Sequence, residues 1–204
     1  MKIYFVTANE KKIAESDERL KHFVERAQTQ KRVRLEIEIC PYKKQLAELL
    51  DTNIESIVRN KAIEAYRVVR RPCVVEHGGL FLDAWGGSKG LLGGLGQKVW
   101  EAVGQGMCGF LRAEDTRAAE AQSIIGYCDG RRVRTYFGST KGEVTEHARG
   151  DRGFRWDPIF KPTNCDLTYG GMAPGAKCET SPDEKAWTLF FQSLEADSLQ
   201  ARRK

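Results

Sequence analysis

The sequence predicts an α/β fold, because apolar, strand-like segments alternate with segments of helical periodicity over its N-terminal part. The run KIYFV at residues 2–6 is continuously apolar, as expected for a buried strand. Ile13, Leu20, Val24 and Ala27 follow at helical spacing. Such alternation places the strands in one sheet with helices packed on its faces. We therefore expect a mixed central sheet with flanking helices, arranged as two lobes with a cleft between them.

The next elements continue this alternation. Residues 32–40, RVRLEIEIC, place an apolar side chain at every second position, which predicts a half-buried strand. The apolar run CVVE at residues 73–76 predicts another strand. Between them, helical spacing is shown by Ile54, Ile57, Val58, Ala62, Ala65 and Val69.

The C-terminal half mixes strands, loops and two helices. A helix is predicted around Leu95–Val103, and Asp129–Gly130 between two apolar segments predicts a β-hairpin. A further short strand is predicted near Glu143–Thr145. Residues 149–181 are rich in Gly, Pro, Thr and Asn and show little periodicity, which is typical of loops. A closing amphipathic helix is predicted by Trp187, Phe190, Phe191 and Leu194.

The composition is that of an ordinary globular protein. Its 204 residues are 41% hydrophobic and 30% charged, enough for one domain of two lobes over the whole chain, 1–204. Apolar runs are shorter than a membrane span, and the N-terminal segment turns polar too soon for a signal peptide, so no membrane association is expected. Six cysteines lie far apart without a C-x-x-C pair, which favours reduced thiols and a cytoplasmic location.

The net charge of +5 suits an anionic partner. The basic residues are scattered and are not interleaved with aromatic residues as in a stripe that binds single strands. A small anion is therefore as plausible a partner as nucleic acid.

The segment TANEKK at residues 7–12 lies where the first predicted strand meets the first predicted helix. Such a junction exposes backbone N–H groups at the positive end of the helix dipole, an arrangement that binds phosphate. Thr7 and Asn9 can add hydrogen bonds, and Lys11 or Lys12 can add positive charge. A plain helix cap with solvated lysines explains the same residues, so both interpretations stay open.

Residues 73–80, CVVEHGGL, end a buried strand at Glu76 and His77 and continue into two glycines. Strand ends followed by glycines allow a ligand to approach the backbone, so this pair is a candidate site edge. A strand end with a solvated turn is the simpler interpretation of the pair taken alone.

One of two later candidate segments can bind a planar base. Phe154 and Trp156 lie beside Asp157 in a glycine-rich stretch, which suits ring stacking with a polar group that contacts the base edge. A hydrophobic anchor under a long loop is an equally good account of these residues. Lys177, in GGMAPGAKCETS, is by itself an ordinary loop lysine.

Several other site classes are not supported. The chain has no G-x-x-x-x-G-K-[ST] phosphate loop. Gly104, Gly106 and Gly109 match G-x-G-x-x-G, but they follow a predicted helix, whereas a dinucleotide site requires a strand there. The three histidines are not near a nucleophile motif of a serine or cysteine hydrolase.

In their order and spacing, these segments resemble the inosine triphosphate pyrophosphatase family of enzymes, which remove non-standard purine nucleotides. The resemblance spans nearly the whole chain. It implies an elongated α/β fold with a nucleotide cleft between two lobes. It also implies Mg²⁺-dependent hydrolysis of ITP, dITP or XTP to the monophosphate and pyrophosphate, by a homodimer.

The resemblance assigns the triphosphate and metal positions. Thr7, Asn9 and Lys12 fit the family's T-G-N-x-x-K, which binds the triphosphate. Glu48 stands where a family glutamate binds the metal, and Lys61 fits a lysine of the following helix. Gly86–Gly90 stands in for a glycine-rich loop and lacks its proline.

The resemblance also assigns the base-binding positions. Phe154, Trp156 and Asp157 fit F-G-W-D-P, with Arg155 in place of the glycine. Further matches lie outside this base-binding segment. They are Thr168, Tyr169 and Met172 for T-Y-A-E-M, with Gly171 in place of the glutamate, then Lys177, expected to contact phosphate, and Ser181 for the serine of S-H-R.

The chain departs from the family where catalysis is expected. The family's strand ends in an acid followed by an aspartate that binds metal and activates water, and here these positions are Glu76 and His77. The family's histidine and arginine after Ser181 are here Pro182 and Asp183. Mg²⁺ takes oxygen ligands, so an imidazole is a poor replacement for a carboxylate. We therefore expect catalysis at His77 and Glu76 to be impaired and Mg²⁺ binding by Glu48 and Glu76 to be weakened.

Three hypotheses follow. The chain is a sensor that binds dITP, ITP or XTP with little hydrolysis and signals to an effector, as degenerate family members do in antiphage defence beside a sirtuin-like NAD-degrading protein. Alternatively, it is an active nucleoside triphosphate pyrophosphatase that uses His77, Glu76 and Glu48. A basic nucleic-acid-binding module is the weakest hypothesis, because the matched segments are those that hold a mononucleotide.

Overall fold

The computed structural model of the chain describes residues 1–29, 37–86, 96–152 and 155–201. The strands are β1 (Lys2–Val6), β2 (Glu38–Tyr42), β3 (Cys73–Leu82), β4 (Ala118–Cys128), β5 (Val133–Val144) and β6 (Phe160–Pro162). The helices are α1 (Glu10–Thr29), α2 (Ile54–Val69), α3 (Gly96–Val103), α4 (Pro174–Thr180) and α5 (Pro182–Ala201). Short 3₁₀ turns cover Asp83–Trp85, Gly104–Phe110 and Asp157–Ile159.

The six strands form one sheet in the order β2-β1-β3-β4-β5-β6. β1 pairs in parallel with β2 and with β3, whereas β3, β4, β5 and β6 pair antiparallel in succession. The parallel strands require crossover connections, which α1 and α2 provide, and the antiparallel strands β4 and β5 need only the hairpin turn at Asp129–Arg132. The predicted mixed α/β sheet with flanking helices is confirmed.

Helices cover both faces of the sheet. On one face, Val74 of β3 and Ile125 of β4 share an apolar cluster with Trp187 of α5. On the other face, Val75 of β3 packs in a cluster with Val58 of α2. Successive strand residues face opposite sides of a sheet, so neighbouring valines of one strand contribute to two different clusters.

A third apolar cluster, the distal cluster, lies towards the far end of the long strands. It contains Leu80, Leu82, Met107, Ala119, Ala121, Val144, Ile159, Phe160 and Tyr169. On the face that carries Val74, β3 passes to the distal cluster through Glu76 and Gly78. This polar interruption between two apolar clusters is where a cleft opens. The division of the chain into two lobes of one domain stays a prediction.

Three local predictions need correction. The strand expected at residues 32–40 begins only at Glu38 within the described residues, and residues 32–36 of that prediction lie outside them. The separate strand near Glu143–Thr145 is wrong, because β5 continues unbroken to Val144. The stretch predicted as loops contains α4, a helix of 7 residues that begins at Pro174. Proline is favoured in the first helical turn, but so short a helix leaves no periodic pattern in the sequence.

Two compositional expectations can be compared with the described residues. None of the described helices is long and apolar enough to cross a membrane. Cys40, Cys73, Cys108, Cys128 and Cys165 are free thiols.

Substituting Gly138 by alanine should destabilise the fold by about 1–3 kcal/mol, the usual effect of overpacking. Gly138 of β5 lies under the first turn of α5, where a Cβ atom would overlap the carbonyl oxygen of Pro182 and lie 2.8 Å from the amide nitrogen of Ala186. Denaturant unfolding measures the effect. Gly106→Ala is the matched control, because a Cβ atom there meets nothing within 4 Å. Equal stability of the two variants would contradict this packing.

Candidate functional site

The cleft lies just beyond the carboxyl end of β1. β1 pairs with β3 through Tyr4–Cys73 and Phe5–Val74, and β3 then continues past the end of its neighbour. β1 is also the strand from which the chain crosses to β2 on one side and then to β3 on the other. Ligands of open α/β sheets bind at such a reversal of strand order, outside the carboxyl ends of the strands. Glu76 and His77 therefore lie at a favourable position for a ligand.

The cleft has two connected parts. The polar part is lined by Thr7, Ala8, Asn9, Lys12, Lys44, Gln45, Leu46, Glu48, Lys61, Glu76, His77 and Arg155. The aromatic part is lined by Asn9, Lys11, Lys12, Glu15, Glu76, Gly78, Gln122, Ser123, Arg155, Trp156, Asp157, Tyr169, Lys177, Pro182 and Asp183. The residues common to both lists are Asn9, Lys12, Glu76 and Arg155, so the two parts meet along these side chains.

The segment between β1 and α1 forms a capped helix start at the junction of the two parts. Asn9 Oδ1 accepts hydrogen bonds from the backbone N–H groups of Lys11 and Lys12, at 3.0 and 3.3 Å. Thr7 Oγ1 accepts the N–H of Asn9 at 3.1 Å. Asn9 therefore caps the helix, as one of the two interpretations expects, and it also lines the cleft together with Thr7 and Lys12. Phosphate binding by this segment stays a prediction.

Glu76 is 7% exposed and binds groups from two helices, α1 and α5. Its Oε1 lies 2.8 Å from Lys12 Nζ of α1, and its Oε2 accepts a hydrogen bond from Trp187 Nε1 of α5 at 2.9 Å. Arg19 Nη1 lies 4.0 Å from Oε2. Burial opposes the charge of Glu76, but Lys12 and Arg19 outweigh it, so its pKa lies below the ordinary value.

His77 faces the opposite side of the sheet, towards α2. Its Nδ1 lies 3.8 Å from Glu48 Oε1, and Glu48 also pairs with Lys61 Nζ at 2.7 Å. The side chain is 4% exposed, and its Nε2 is buried without a hydrogen-bond partner in the described structure. Burial lowers the pKa of His77, and the charges of Lys61 and Lys12 add to this effect, so the imidazole is neutral at pH 7.

Glu48 stays ionised beside this histidine. Interaction with His77, together with the charge of Lys61, holds the pKa of Glu48 well below its usual range in spite of partial burial. Burial conversely lowers the pKa of Lys61, whereas Glu48 raises it. The polar part therefore contains a carboxylate that is already paired with a cation, next to a neutral imidazole.

These residues do not fit Mg²⁺. The ion requires hard oxygen ligands, and the predicted ligands Glu48 and Glu76 are held by Lys61 and Lys12 at hydrogen-bonding distance. His77 offers nitrogen between them. In the described ranges, no cluster of three or more Asp, Glu, His or Cys side chains has an arrangement that can hold a metal ion.

The aromatic part combines a ring surface with a buried ion pair. Trp156 packs edge-on against Phe160, with ring centroids 5.7 Å apart, and lies 6.4 Å from the ring of Tyr169. Asp157 is 3% exposed, and its Oδ2 lies 2.6 Å from Lys177 Nζ. Burial lowers the pKa of Lys177, but Asp157 outweighs this effect and raises it. The structure thus brings together two predicted base-binding residues, Trp156 and Asp157, and Lys177, which was expected to contact phosphate.

The floor of the aromatic part is formed by the strands. Gly78 of β3 pairs in register with Ser123 of β4, and both line this part of the cleft. Ser123 is 2% exposed, and its hydroxyl has no hydrogen-bond partner in the described structure. A buried hydroxyl in a cleft is available to a ligand that carries a polar edge.

Ser181 and Asp183 have structural partners beside the cleft. Ser181 Oγ accepts the backbone N–H of Glu184 at 3.3 Å and so caps α5. It lines neither part of the cleft but lines a pocket that adjoins the aromatic part at Tyr169, Lys177 and Asp183. Asp183 forms an ion pair with the buried Arg19 of α1. Burial opposes the charge of Asp183, but Arg19 outweighs it and lowers the pKa to about 2.

Arg155 is the least ordinary residue of the site. Its backbone adopts φ of +56°, a left-handed conformation that suits glycine much better than arginine. It lines both parts of the cleft, and its guanidinium lies within electrostatic range of Glu101 on α3 first and then of Glu48 and Glu76. Burial lowers the pKa of Arg155, yet guanidinium groups remain protonated at neutral pH.

Some predicted site residues lie outside the described residues or in another element than expected, and two residues of the site were not predicted. Phe154 and residues 87–90 of the glycine-rich loop lie outside the described residues. Lys177, expected in a loop, lies on α4. Sequence reasoning missed Arg19 and Ser123. A usable signal existed for Arg19, because it lies on the buried stripe of α1 with Ser16 and Phe23, where a charge needs a buried partner.

The fold and this cleft define an α/β protein with a cationic cleft and an adjoining ring surface at the end of a parallel strand pair. The chain matches the sequence profile of the Ham1 family over residues 3–193, and it belongs to that family. The predicted family resemblance is thereby confirmed.

Individual relatives agree with this assignment. The chain is 31% identical over 194 residues to a dITP/XTP pyrophosphatase of Methanopyrus kandleri, covering 94% of this chain and 95% of the relative. It is 36% identical over 147 residues to inosine triphosphate pyrophosphatase 2 of Trypanosoma cruzi, covering 71% and 74%.

Solved structures show the same fold. A nucleoside-triphosphatase, or dITP/XTP pyrophosphatase, from Mycobacterium abscessus superposes with a TM-score of 0.68 at 21% identity, covering 94% of this chain and 97% of that one. The Ham1 protein of Staphylococcus aureus superposes with a TM-score of 0.66 at 19% identity, covering 95% and 99%.

Asp183→Asn should destabilise the protein by about 3 kcal/mol, because it leaves Arg19 buried without its nearest counter-charge. The folded pKa of Asp183, about 2, lies below the ordinary value of 3.8. The stabilisation is therefore present above about pH 4 and is lost as the pH falls towards 2. Denaturant unfolding at several pH values measures it, and the variant should lack this acid-dependent loss. Asp17→Asn, on the exposed side of α1, is the matched control.

Proposed function

We propose that this protein binds a purine nucleoside triphosphate with a non-standard base, such as dITP, ITP or XTP, and hydrolyses it slowly. The triphosphate occupies the polar part of the cleft, where the start of α1, Lys12 and Lys61 meet. The base occupies the aromatic part, against Trp156 and beside the Asp157–Lys177 pair.

The family assignment supports the ligand class. The relatives that cover nearly all of the chain are named for activity on dITP and XTP. The structure supports a two-part ligand, because a strongly charged region adjoins an aromatic surface with a buried polar floor at Ser123. A nucleoside triphosphate has these two kinds of surface.

Slow hydrolysis is supported by the burial of His77 and by its contact with Glu48. This is the observation that carries the proposal. His77 is buried, neutral and directed at Glu48, whose carboxylate is already bound by Lys61. Glu76, the neighbouring acid, has both oxygens engaged by Lys12 and Trp187. Hydrolysis needs a base that takes a proton from the attacking water. Both carboxylates are instead paired with lysines, which lowers their ability to act as that base.

An active pyrophosphatase is the second candidate. The names of the relatives favour it more directly than they favour a sensor. In this case His77 Nε2, which has no hydrogen-bond partner in the described structure, is the base, and Glu48 orients the ring through Nδ1. The release of pyrophosphate from dITP on the order of 1 s⁻¹ or faster would establish this candidate and overturn slow hydrolysis.

A sensor that signals to an effector protein, a role in antiphage defence, a homodimer and a cytoplasmic location stay predictions. They follow from the resemblance and the composition, and their tests are separate. Size-exclusion chromatography with light scattering measures the oligomeric state of the purified chain.

Lys12→Ala should weaken the binding of dITP by about 10- to 100-fold, the effect of removing a charged hydrogen-bond donor. Isothermal titration calorimetry measures the affinity. Lys21→Ala, on the exposed side of the same helix, is the matched control. Because Lys12 also neutralises Glu76, the melting temperature of each unliganded variant is measured first. If the wild-type protein neither binds dITP nor gains melting temperature from it, the proposed function is wrong.

His77→Asp should increase the release of pyrophosphate from dITP in the presence of Mg²⁺ by about 10²-fold or more, within the 10²–10⁴-fold range of general-base effects. The reason is that an aspartate supplies a carboxylate beside Glu48, as the family pattern has it. Product analysis by ion-exchange chromatography measures the rate. His147→Asp, at an exposed position outside the cleft, is the matched control. A lower rate in His77→Asp than in the wild type would support catalysis by the histidine.

A further inference from the structure

The charge balance of the polar part is unusual for a site in which a divalent cation accompanies a triphosphate. The described residues that line it include the cations Lys12, Lys44, Lys61 and Arg155, but only two carboxylates, Glu48 and Glu76. His77 in the same lining supplies no carboxylate. The polar part therefore has four basic side chains against two acidic ones, a surplus of two positive charges before any ion or ligand enters.

Two residues produce this surplus. An aspartate at position 77 would add a negative charge, and a glycine at position 155 would remove a positive one. With both, which is the pattern of the family motifs, the polar part would be balanced between acids and bases. The replacements His77 and Arg155 together shift the charge by the amount that one divalent cation supplies.

The position of Arg155 suits the neutralisation of phosphate charge. It lies where the polar and aromatic parts meet, so its guanidinium can reach the phosphate end of a ligand whose base lies against Trp156. Guanidinium binds phosphate oxygens in a bidentate geometry. Its backbone at φ +56° is a conformation that an arginine adopts only against a steric preference, and such strain is typical of functional positions.

The pairing of the two carboxylates also disfavours a divalent cation in the polar part. Glu48 and Glu76 are paired with Lys61 and Lys12, so a metal ion would have to displace two lysines from the oxygens it needs. A tetra-anionic triphosphate instead adds counter-charge to these lysines without displacing a ligand. Attraction between opposite charges in a partly buried cleft is strong, since water screens it poorly.

We propose that this cleft binds the triphosphate without a divalent cation, and that Arg155, with Lys12 and Lys61, neutralises the phosphate charge in its place. This inference rests on the proposed function for the identity of the ligand. It goes beyond that function by assigning the cation requirement and a phosphate-binding residue, Arg155.

Titration calorimetry with dITP, in buffer with excess EDTA and in buffer with Mg²⁺, tests the inference. The wild-type protein should bind dITP at least as tightly in EDTA as in Mg²⁺. Arg155→Gly should weaken binding in EDTA by about 10- to 100-fold, the effect of losing a charge-assisted hydrogen bond. Because glycine suits φ +56°, this variant should keep the wild-type melting temperature, so that lost affinity does not reflect unfolding.

Three further variants separate charge from structure. Arg155→Lys keeps the charge and should retain most of the affinity in EDTA. Arg149→Ala removes one positive charge from an exposed position of the same segment and should bind like the wild type. The double variant His77→Asp/Arg155→Gly balances the polar part and should bind dITP more tightly in Mg²⁺ than in EDTA.

The outcomes are distinguishable. Binding by the wild type that is weaker in EDTA than in Mg²⁺ by more than about tenfold, the contribution of one charge-assisted hydrogen bond, shows that a divalent cation is needed. The inference then fails while the proposed function stands. If Arg155→Gly binds in EDTA like the wild type, the assignment of Arg155 is wrong. If dITP does not bind in either buffer, the proposed function itself is refuted.

Discussion

The carboxylate of Glu76 joins three elements of the fold at one buried point. It lies on β3, pairs with Lys12 of α1 and accepts a hydrogen bond from Trp187 of α5. Removing one partner of such a buried pair typically costs about 3–5 kcal/mol, because the other charge is left without compensation. Both helices are therefore held in register with the strand at the place where the cleft opens. Every other feature of the cleft depends on this arrangement.

The same pairing constrains the chemistry of the site. Lys12 stabilises the ionised form of Glu76, and Lys61 does the same for Glu48, so both acids remain charged but are not open to a hard metal ion. His77 between them is buried and neutral. A cleft of this kind retains the cations that attract phosphate while its acids are occupied. This arrangement is the physical basis of the proposal that the cleft binds a triphosphate and hydrolyses it slowly.

The strength of the local patterns decided how much of the fold could be predicted from the sequence. The continuous apolar run of β1, the helical spacing of α2 and the Asp129–Gly130 hairpin are encoded by neighbouring residues, and each appears in the structure. α4 was missed because one short helix has too few residues to show a period. The end of β5 was misjudged because Gly138 and Gly142 interrupt its pattern. Tertiary contacts with Pro182 and Lys161 require glycine at these two positions.

The sequence by itself determined the alternation of strands and helices, the family motifs and the replacement of the expected aspartate by His77, since these depend only on residue type and order. Only the tertiary structure decided which charges meet. Lys177 and Asp157 are 20 positions apart, and Arg19 and Asp183 are 164 apart, yet each forms a buried pair. The physical reason is that a charge is neutralised by whatever lies within a few ångströms, and that distance is set by the packing of helices on the sheet.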